Sequence, residues 1–232
     1  MTYKLNLSPA ILAAALALSP ALTAPAFASG GPYAVDDAGI ATPGKFKLES
    51  WVSLADDDDL IFITSPGFVL EALPWIEFEL TYERARRGGD WEDTLAPAVK
   101  IALRDVDDHG YGVAVSMGSG HAGIVRRADT VYAVVPVTIP VGERALVNVN
   151  AGVERDQSTR QTEAVWGMGG QLLFDRGELI AEAFGGEGGA PSFQAGVRPY
   201  LFGGAAALEL AYGRNLDGGR ANWFTVGLSF EF

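Results

Sequence analysis

The stretch N-W-F-T-V-G-L-S-F-E-F at residues 222–232 decides the fold. Phe224, Val226, Leu228, Phe230 and Phe232 share one parity, and Thr225, Gly227, Ser229 and Glu231 share the other. An extended strand sends alternate side chains to opposite faces, so the segment has one apolar and one polar face. An aromatic-rich strand at the end of a soluble chain would be exposed to fraying. It has a reason to be there if it closes a membrane barrel, where its apolar face meets lipid and both backbone edges are paired.

The pattern resembles the C-terminal strand of bacterial outer-membrane β-barrels, which ends in Phe after apolar residues at alternate positions. The resemblance implies that Phe224, Val226, Leu228, Phe230 and Phe232 form an assembly signal read by the barrel assembly machinery.

The front of the chain agrees with export. Residues 1–28 read as a cleaved signal peptide: Lys4, an Ala/Leu-rich stretch too short for a membrane helix, then the small-x-small pattern Ala26-Phe27-Ala28. Residues 29–44 are expected to be a periplasmic N-terminal segment, and residues 45–232 the barrel. The absence of cysteine excludes a lipoprotein anchor, and the net charge of -12 argues against a nucleic-acid partner.

The alternation recurs upstream. Phe46, Leu48, Val52 and Leu54 oppose Lys45, Lys47, Glu49 and Ser53, and Ile76, Phe78, Leu80 and Tyr82 oppose Glu77, Glu79, Thr81 and Glu83. Residues 95–104, 147–154, 193–201 and 208–213 follow the same rule. Five further segments (60–70, 111–118, 130–139, 162–174 and 178–184) are β-like but carry apolar residues on both parities. Pro66 and Pro136 are read as strand starts, ends or bulges, because proline cannot donate to a ladder. With turn signals between the segments, the expectation is an all-β, transmembrane, antiparallel up-and-down barrel of about twelve strands of roughly ten residues, with ten strands as the alternative. A soluble β-sandwich explains the alternation but not the exported start or the charges confined to one face.

Ahead of the first strand stand Asp36-Asp37-Ala38-Gly39, then Pro43-Gly44 and an alternating strand containing Leu48-Glu49. This opening resembles that of the outer-membrane proteins associated with the meta-pathway of phenol degradation. The resemblance implies a barrel with a transporter-like role and carries no substrate. Read from its chemistry, Asp36-Asp37-Ala38-Gly39 is an Asx-type turn folding the N-terminal segment under the barrel or into its mouth. Metal binding is the sharper reading, but adjacent carboxylates on an extended chain point apart, so no metal and no cofactor are assigned.

Candidate chemistry is sparse. His109 reads as a solvated turn residue. Ser119 and His121 share parity, as a nucleophile and its base require. Barrel acyl hydrolases, however, place His before Ser, so no catalytic residue is assigned. The Asp56–Asp59 run reads as a hairpin loop. Gly185-Gly186-Glu187-Gly188-Gly189 lacks the Lys-Ser/Thr of a phosphate cradle. Trp51, Trp75, Trp91, Trp166 and Trp223 are expected in interfacial belts.

The inward set expected to line the lumen is Lys45, Lys47, Glu49, Glu77, Glu79, Glu83, Lys100, Arg104, Glu154, Glu163, Glu182, Arg198 and Glu209. Either these charges cross-link a plugged interior or they line a water-filled path with an acidic bias. The functional expectation is an integral protein of the bacterial outer membrane, not an enzyme. It would act as a passive channel or transporter for small solutes, cation-preferring or carrying small aromatic compounds. The alternatives are a non-conducting structural barrel and an outer-membrane lipid acyl hydrolase. Outer-membrane lipid and lipopolysaccharide are the expected surroundings.

Overall fold

A computed structural model describes residues 31–55, 59–123, 128–216 and 222–232. The expected signal peptide, residues 1–28, lies outside the described residues, as do Asp56, Asp57 and Asp58 of the acidic run.

The described chain forms twelve strands: β1 (Phe46–Ala55), β2 (Leu60–Val69), β3 (Ile76–Arg87), β4 (Asp90–Arg104), β5 (Gly112–Ala122), β6 (Thr130–Pro140), β7 (Ala145–Asp156), β8 (Thr162–Phe174), β9 (Gly177–Gly186), β10 (Ser192–Leu201), β11 (Ala206–Asn215) and β12 (Asn222–Glu231). Each strand pairs antiparallel with its sequence neighbours, and β12 returns to β1, so the sheet is a closed barrel. All five segments with apolar residues on both parities are strands, which settles the count at twelve. A single helical turn, α1 (Val106–His109), caps the β4–β5 connection, with the Asp105 carboxylate accepting from the Asp107 N–H.

The alternation sets the two faces. On β12, Thr225, Ser229 and Glu231 are buried while Phe224, Val226 and Leu228 are exposed. The outer wall carries Phe46, Leu54, Leu80, Leu103, Met168, Leu172 and Leu179, all large, apolar and exposed. In water such a belt would be an aggregation liability; against acyl chains it is the wall a membrane barrel needs.

The prolines correct the sequence reading. Pro66 and Pro136 lie inside β2 and β6, not at their ends, as do Pro97 in β4 and Pro199 in β10. Each keeps its register with one neighbour, as in Leu48↔Pro66, Leu80↔Pro97, Pro136↔Asn150 and Pro199↔Gly177. On the other flank the pairing lapses: β2–β3 passes from Thr64↔Tyr82 to Gly67↔Glu79, and β5–β6 from Val113↔Val137 to Ser116↔Val134. A missing N–H removes a bond on one side only, so a strand paired on both flanks tolerates it.

The seam is fixed by a reciprocal pair of backbone bonds. Phe46 N–H donates to the Phe232 carbonyl and Phe232 N–H to the Phe46 carbonyl, both at 2.9 Å. Outside, the rings form a row: Phe232 and Phe46 have centroids 6.3 Å apart, Phe46 and Phe68 5.8 Å, and Phe68 and Phe78 5.4 Å. Aromatic pairs at these separations add about 0.5–1.5 kcal/mol each beyond area burial. Replacing Phe232 with Asp should therefore impair assembly, read as loss of the heat-modifiable gel species and of protein in the membrane fraction. An unchanged folded fraction would show that the seam does not need this ring.

Candidate functional site: the bore and the segment across it

The inner wall is a set of buried ion pairs. On the β1–β3 side, the Lys47 ammonium lies 2.6 Å from Glu77, 3.3 Å from Glu79 and 3.6 Å from Glu49. On the β9–β12 side, Arg198 Nε donates to both Glu209 oxygens at 2.8 and 3.0 Å, and its Nη1 is 3.6 Å from Glu178. Ser229 Oγ donates to Glu209 at 2.9 Å, and the Tyr200 hydroxyl donates to Glu178. Lys47, Glu49, Glu77, Arg198, Glu178 and Glu209 are all buried. Isolated charges in such surroundings would be costly, so pairing and hydrogen bonding are conditions of burial.

Between these clusters runs the N-terminal segment, which touches the walls in order around the ring. Ala41 N–H donates to Glu77 on β3 at 2.6 Å. Ala38 N–H donates to Thr138 on β6 at 2.8 Å. Asp36 exchanges two bonds with Asn150 on β7, at 2.8 and 2.7 Å. The Ala34 and Val35 N–H groups both donate to the Glu182 carboxylate on β9, at 2.7 and 3.1 Å. The Pro32 carbonyl accepts from Gln194 on β10 at 2.9 Å, and the Tyr33 ring lies under the Arg198 guanidinium at 5.2 Å. Lys100 clamps the middle, 2.8 Å from Asp36 and 3.7 Å from Asp37. The segment thus crosses the bore as a belt bound through its own backbone groups.

Glycines on the inner wall make the sockets. A Cβ on Gly167 would sit 2.8 Å from Val35 Cγ2, and one on Gly112 would sit 2.8 Å from Ala38 Cβ. Any larger residue there would push the segment off the wall. The four motif residues divide the work: Asp36 and Asp37 meet Lys100, Ala38 fills the Gly112 socket, and Gly39 N–H donates to the Asp37 carboxylate at 2.7 Å, closing the Asx turn. Among the described residues no group of three or more His, Cys, Asp or Glu could hold a metal ion.

Other members of the expected inward set sit elsewhere. Lys45 lies just before β1, 3.8 Å from Glu231 at the rim carrying the C-terminus. Glu83 is near the opposite rim, 2.7 Å from Arg87. Glu154 and Glu163 are cross-strand partners at that rim and are exposed. Arg104 leaves the set. A bulge between Ala102 and Arg104 pairs it with Val113 on the outward parity, and its guanidinium lies 3.9 Å over the Tyr111 ring. The sequence reading assumed unbroken alternation, which a bulge interrupts.

Two tryptophans also correct the belt expectation. Trp51 shares the inward parity of Lys47 and Glu49, and Trp223 Nε1 donates to the bore residue Gln194 at 2.7 Å. Trp75, Trp91 and Trp166 are exposed. Ser119 and His121 do meet, with Oγ and Nε2 3.0 Å apart. Their partners Val131 and Leu95 place them on the outer wall, away from the carboxylates of the bore.

Sequence reasoning missed Glu178, buried on the inner face; Asn148, Asn150 and Gln194, on the polar parity of their strands, are buried there too, but their part in holding the segment was not foreseen. Glu178 shares parity with Glu182, a usable signal hidden by the apolar residues between them.

The chain matches, over residues 16–232, the family described as uncharacterised conserved protein UCP029691. It belongs to that family. No curated protein matches it. Among solved structures it is similar to the KdgM porin in complex with disordered oligogalacturonate (TM-score 0.67, 6% identity, 80% of this chain and 99% of that one). It is also similar to the NanC porin (TM-score 0.60, 9% identity, 79% and 98%). A third similar structure is the Acinetobacter baumannii outer membrane protein Omp33 (TM-score 0.55, 10% identity, 81% and 98%). At these identities the likeness is one of fold: this family member has the twelve-strand barrel of outer-membrane porins. The match does not show the meta-pathway association that the opening motif's resemblance implies, and no pathway follows from it.

Two outcomes test the site. Arg198→Met leaves Glu209 and Glu178 buried without their cation, which should lower the unfolding free energy by about 3–5 kcal/mol in a urea titration of the refolded barrel. The chain has no cysteine, so Val35→Cys gives a single reporter. It should resist a polar maleimide in the folded barrel and become reactive when Gly167→Val fills its socket. Equal reactivity in both would mean that the segment is not held there.

Proposed function

We propose that this chain is an integral outer-membrane protein that passes small solutes passively, with a preference for cations. The observation supporting this is a closed twelve-strand barrel with an apolar exterior and an inner wall on which carboxylates outnumber cations. Glu49, Glu77, Glu79, Glu178, Glu182 and Glu209 stand on that wall against Lys47, Lys100 and Arg198, while towards the rims Glu83 faces Arg87 and Glu231 faces Lys45. Low-dielectric walls focus the field of such a surface and raise the local concentration of counter-ions. KdgM was solved with oligogalacturonate, a polyanionic sugar. The charge balance here argues for cargo of the opposite sign. Small aromatic cargo has less support, because the inner face offers it only scattered rings such as Trp51 and Tyr132.

In this reading the rim carrying Phe46 and Phe232 is periplasmic, the seam strand is what the assembly machinery recognises, and lipopolysaccharide surrounds the opposite rim. The crossing segment supports a second reading, a non-conducting structural barrel, because it narrows the bore at the level of Asp36 and Lys100. No catalytic role is proposed for Ser119 and His121.

Reversal potentials of the refolded protein in a salt gradient across a planar bilayer separate the readings. Cation selectivity that weakens when Glu79 and Glu83 become Gln is the expected result. These two are chosen because Glu77 also anchors Ala41. Anion selectivity would overturn the cation preference, and a folded barrel without conductance would favour the structural reading.

A further inference from the structure

The belt divides the bore unevenly and leaves a cavity of 170 Å³ between its own surface and the wall of β1–β6. Gly31, Tyr33 and Asp36 of the segment contribute to its lining, and Trp51, Glu49, Glu79, Lys100 and Tyr132 stand on the wall around it. At about 30 Å³ per water, the space holds roughly five or six waters or one small organic molecule.

Three features of its chemistry converge. First, one acceptor is unused: Glu49 is 3% exposed, and among the described residues its Oε1 has no hydrogen-bond partner, although Lys47 stands 3.6 Å from Oε2. A buried carboxylate oxygen without a donor is an unmet demand for one. Second, the cavity is electronegative. Asp36, Glu49, Glu77 and Glu79 line it against Lys47 and Lys100, an excess of two negative charges. Third, two aromatic side chains face in. Trp51 follows Glu49 by two positions on the same face of β1, about 7 Å away. Tyr132 lies over Gly118, where a Cβ would come within 2.7 Å of the ring, so a glycine on β5 makes room for it. Aromatic faces attract cations at about 0.5–2 kcal/mol, more when the site is desolvated.

We propose that this cavity is a binding site for a small primary organic ammonium. Its N–H donors satisfy Glu49 Oε1, its charge offsets the carboxylate excess with Glu79, and its short carbon body rests against Trp51 and Tyr132. A bare metal ion fits less well, because Lys47 already shares Glu49, Glu77 and Glu79 and the aromatic wall offers such an ion no ligands. A quaternary ammonium would meet the rings but leave Glu49 Oε1 without a donor. The inference rests on and deepens the cation-channel reading by naming a solute class. A barrel that fails to conduct can still bind, so the two claims fail separately.

The test is isothermal titration calorimetry on the full refolded chain in detergent micelles at fixed sodium concentration. n-Propylammonium is the probe, with n-propanol as its neutral counterpart and tetramethylammonium as the donor-free cation. The expected result is saturable binding of n-propylammonium, at least tenfold weaker binding of tetramethylammonium, and none of n-propanol. Glu49→Gln should weaken n-propylammonium at least tenfold, and Trp51→Leu should weaken it severalfold. Variants are first checked for heat-modifiable migration; Trp51→Leu and Tyr132→Leu keep the test open if Glu49→Gln does not fold. No saturable binding by the folded wild-type barrel would overturn the proposal. So would binding that both Glu49→Gln and Trp51→Leu leave unchanged, or equal affinity for n-propylammonium and n-propanol.

Discussion

The β1–β12 ladder is the constraint on which everything else depends. In a hydrocarbon surrounding, each unpaired backbone N–H or carbonyl costs several kcal/mol, so a sheet there must have no edge. The reciprocal bonds between Phe46 and Phe232 supply the last pair. Once the ring is closed, each strand has one side facing out and one facing in, and the strict period of two sorts the chemistry. That is why the four interior prolines survive: closure gives every strand a second neighbour, so losing one flank of pairing at Pro66 or Pro136 does not free an edge.

Closure creates the second problem, which the charges solve. A ring of this size has too much interior to fill with apolar side chains alone and too little to leave every charge in bulk water. The chain answers with two ion clusters flanking the seam, around Lys47 on β1 and around Arg198 on β10, and runs its own N-terminal segment from one to the other around the rest of the ring. The Ala34, Val35 and Ala41 N–H groups of the segment end on wall carboxylates, and hydrogen bonds to charged groups are each worth about 1.5–3 kcal/mol. The same Glu77 that pairs with Lys47 accepts from Ala41, so wall and belt share groups and neither is complete without the other.

The barrel was legible because its signal is repeated. A period of two needs only a few residues per strand to show, and β12, β1 and β3 each showed it cleanly. The five segments with apolar residues on both parities were weaker because many bore-facing positions there are apolar or glycine, as Ile180 is between Glu178 and Glu182 on β9. β8 presents Gly167 and Gly169 to the inside, and β6 presents Val134 and Pro136. Arg104 was misassigned because a bulge moves a side chain to the other face without leaving a mark in the sequence. Trp51 and Trp223 were misplaced because an amphipathic ring suits an interface and a polar bore equally well; only their parity separates the two.

The crossing of the bore was not legible for a deeper reason. Strand patterns report a residue's side chain against its own sheet, whereas the belt is held mainly through its backbone, which every sequence has. What the sequence did carry was the complement: glycines at inward positions of β5 and β8, which weaken a strand unless something approaches them. Gly112 and Gly167 become intelligible once Ala38 and Val35 are seated on them. A wall glycine and a small residue in the opening segment are two halves of one contact about 75 to 130 residues apart, and neither half means anything read alone. An inward-facing glycine in a barrel strand marks a close approach, either by a neighbouring ring, as Tyr132 covers Gly118, or by something in the bore, as at Gly112 and Gly167, and the place to look for the second kind is the part of the chain that has no period at all.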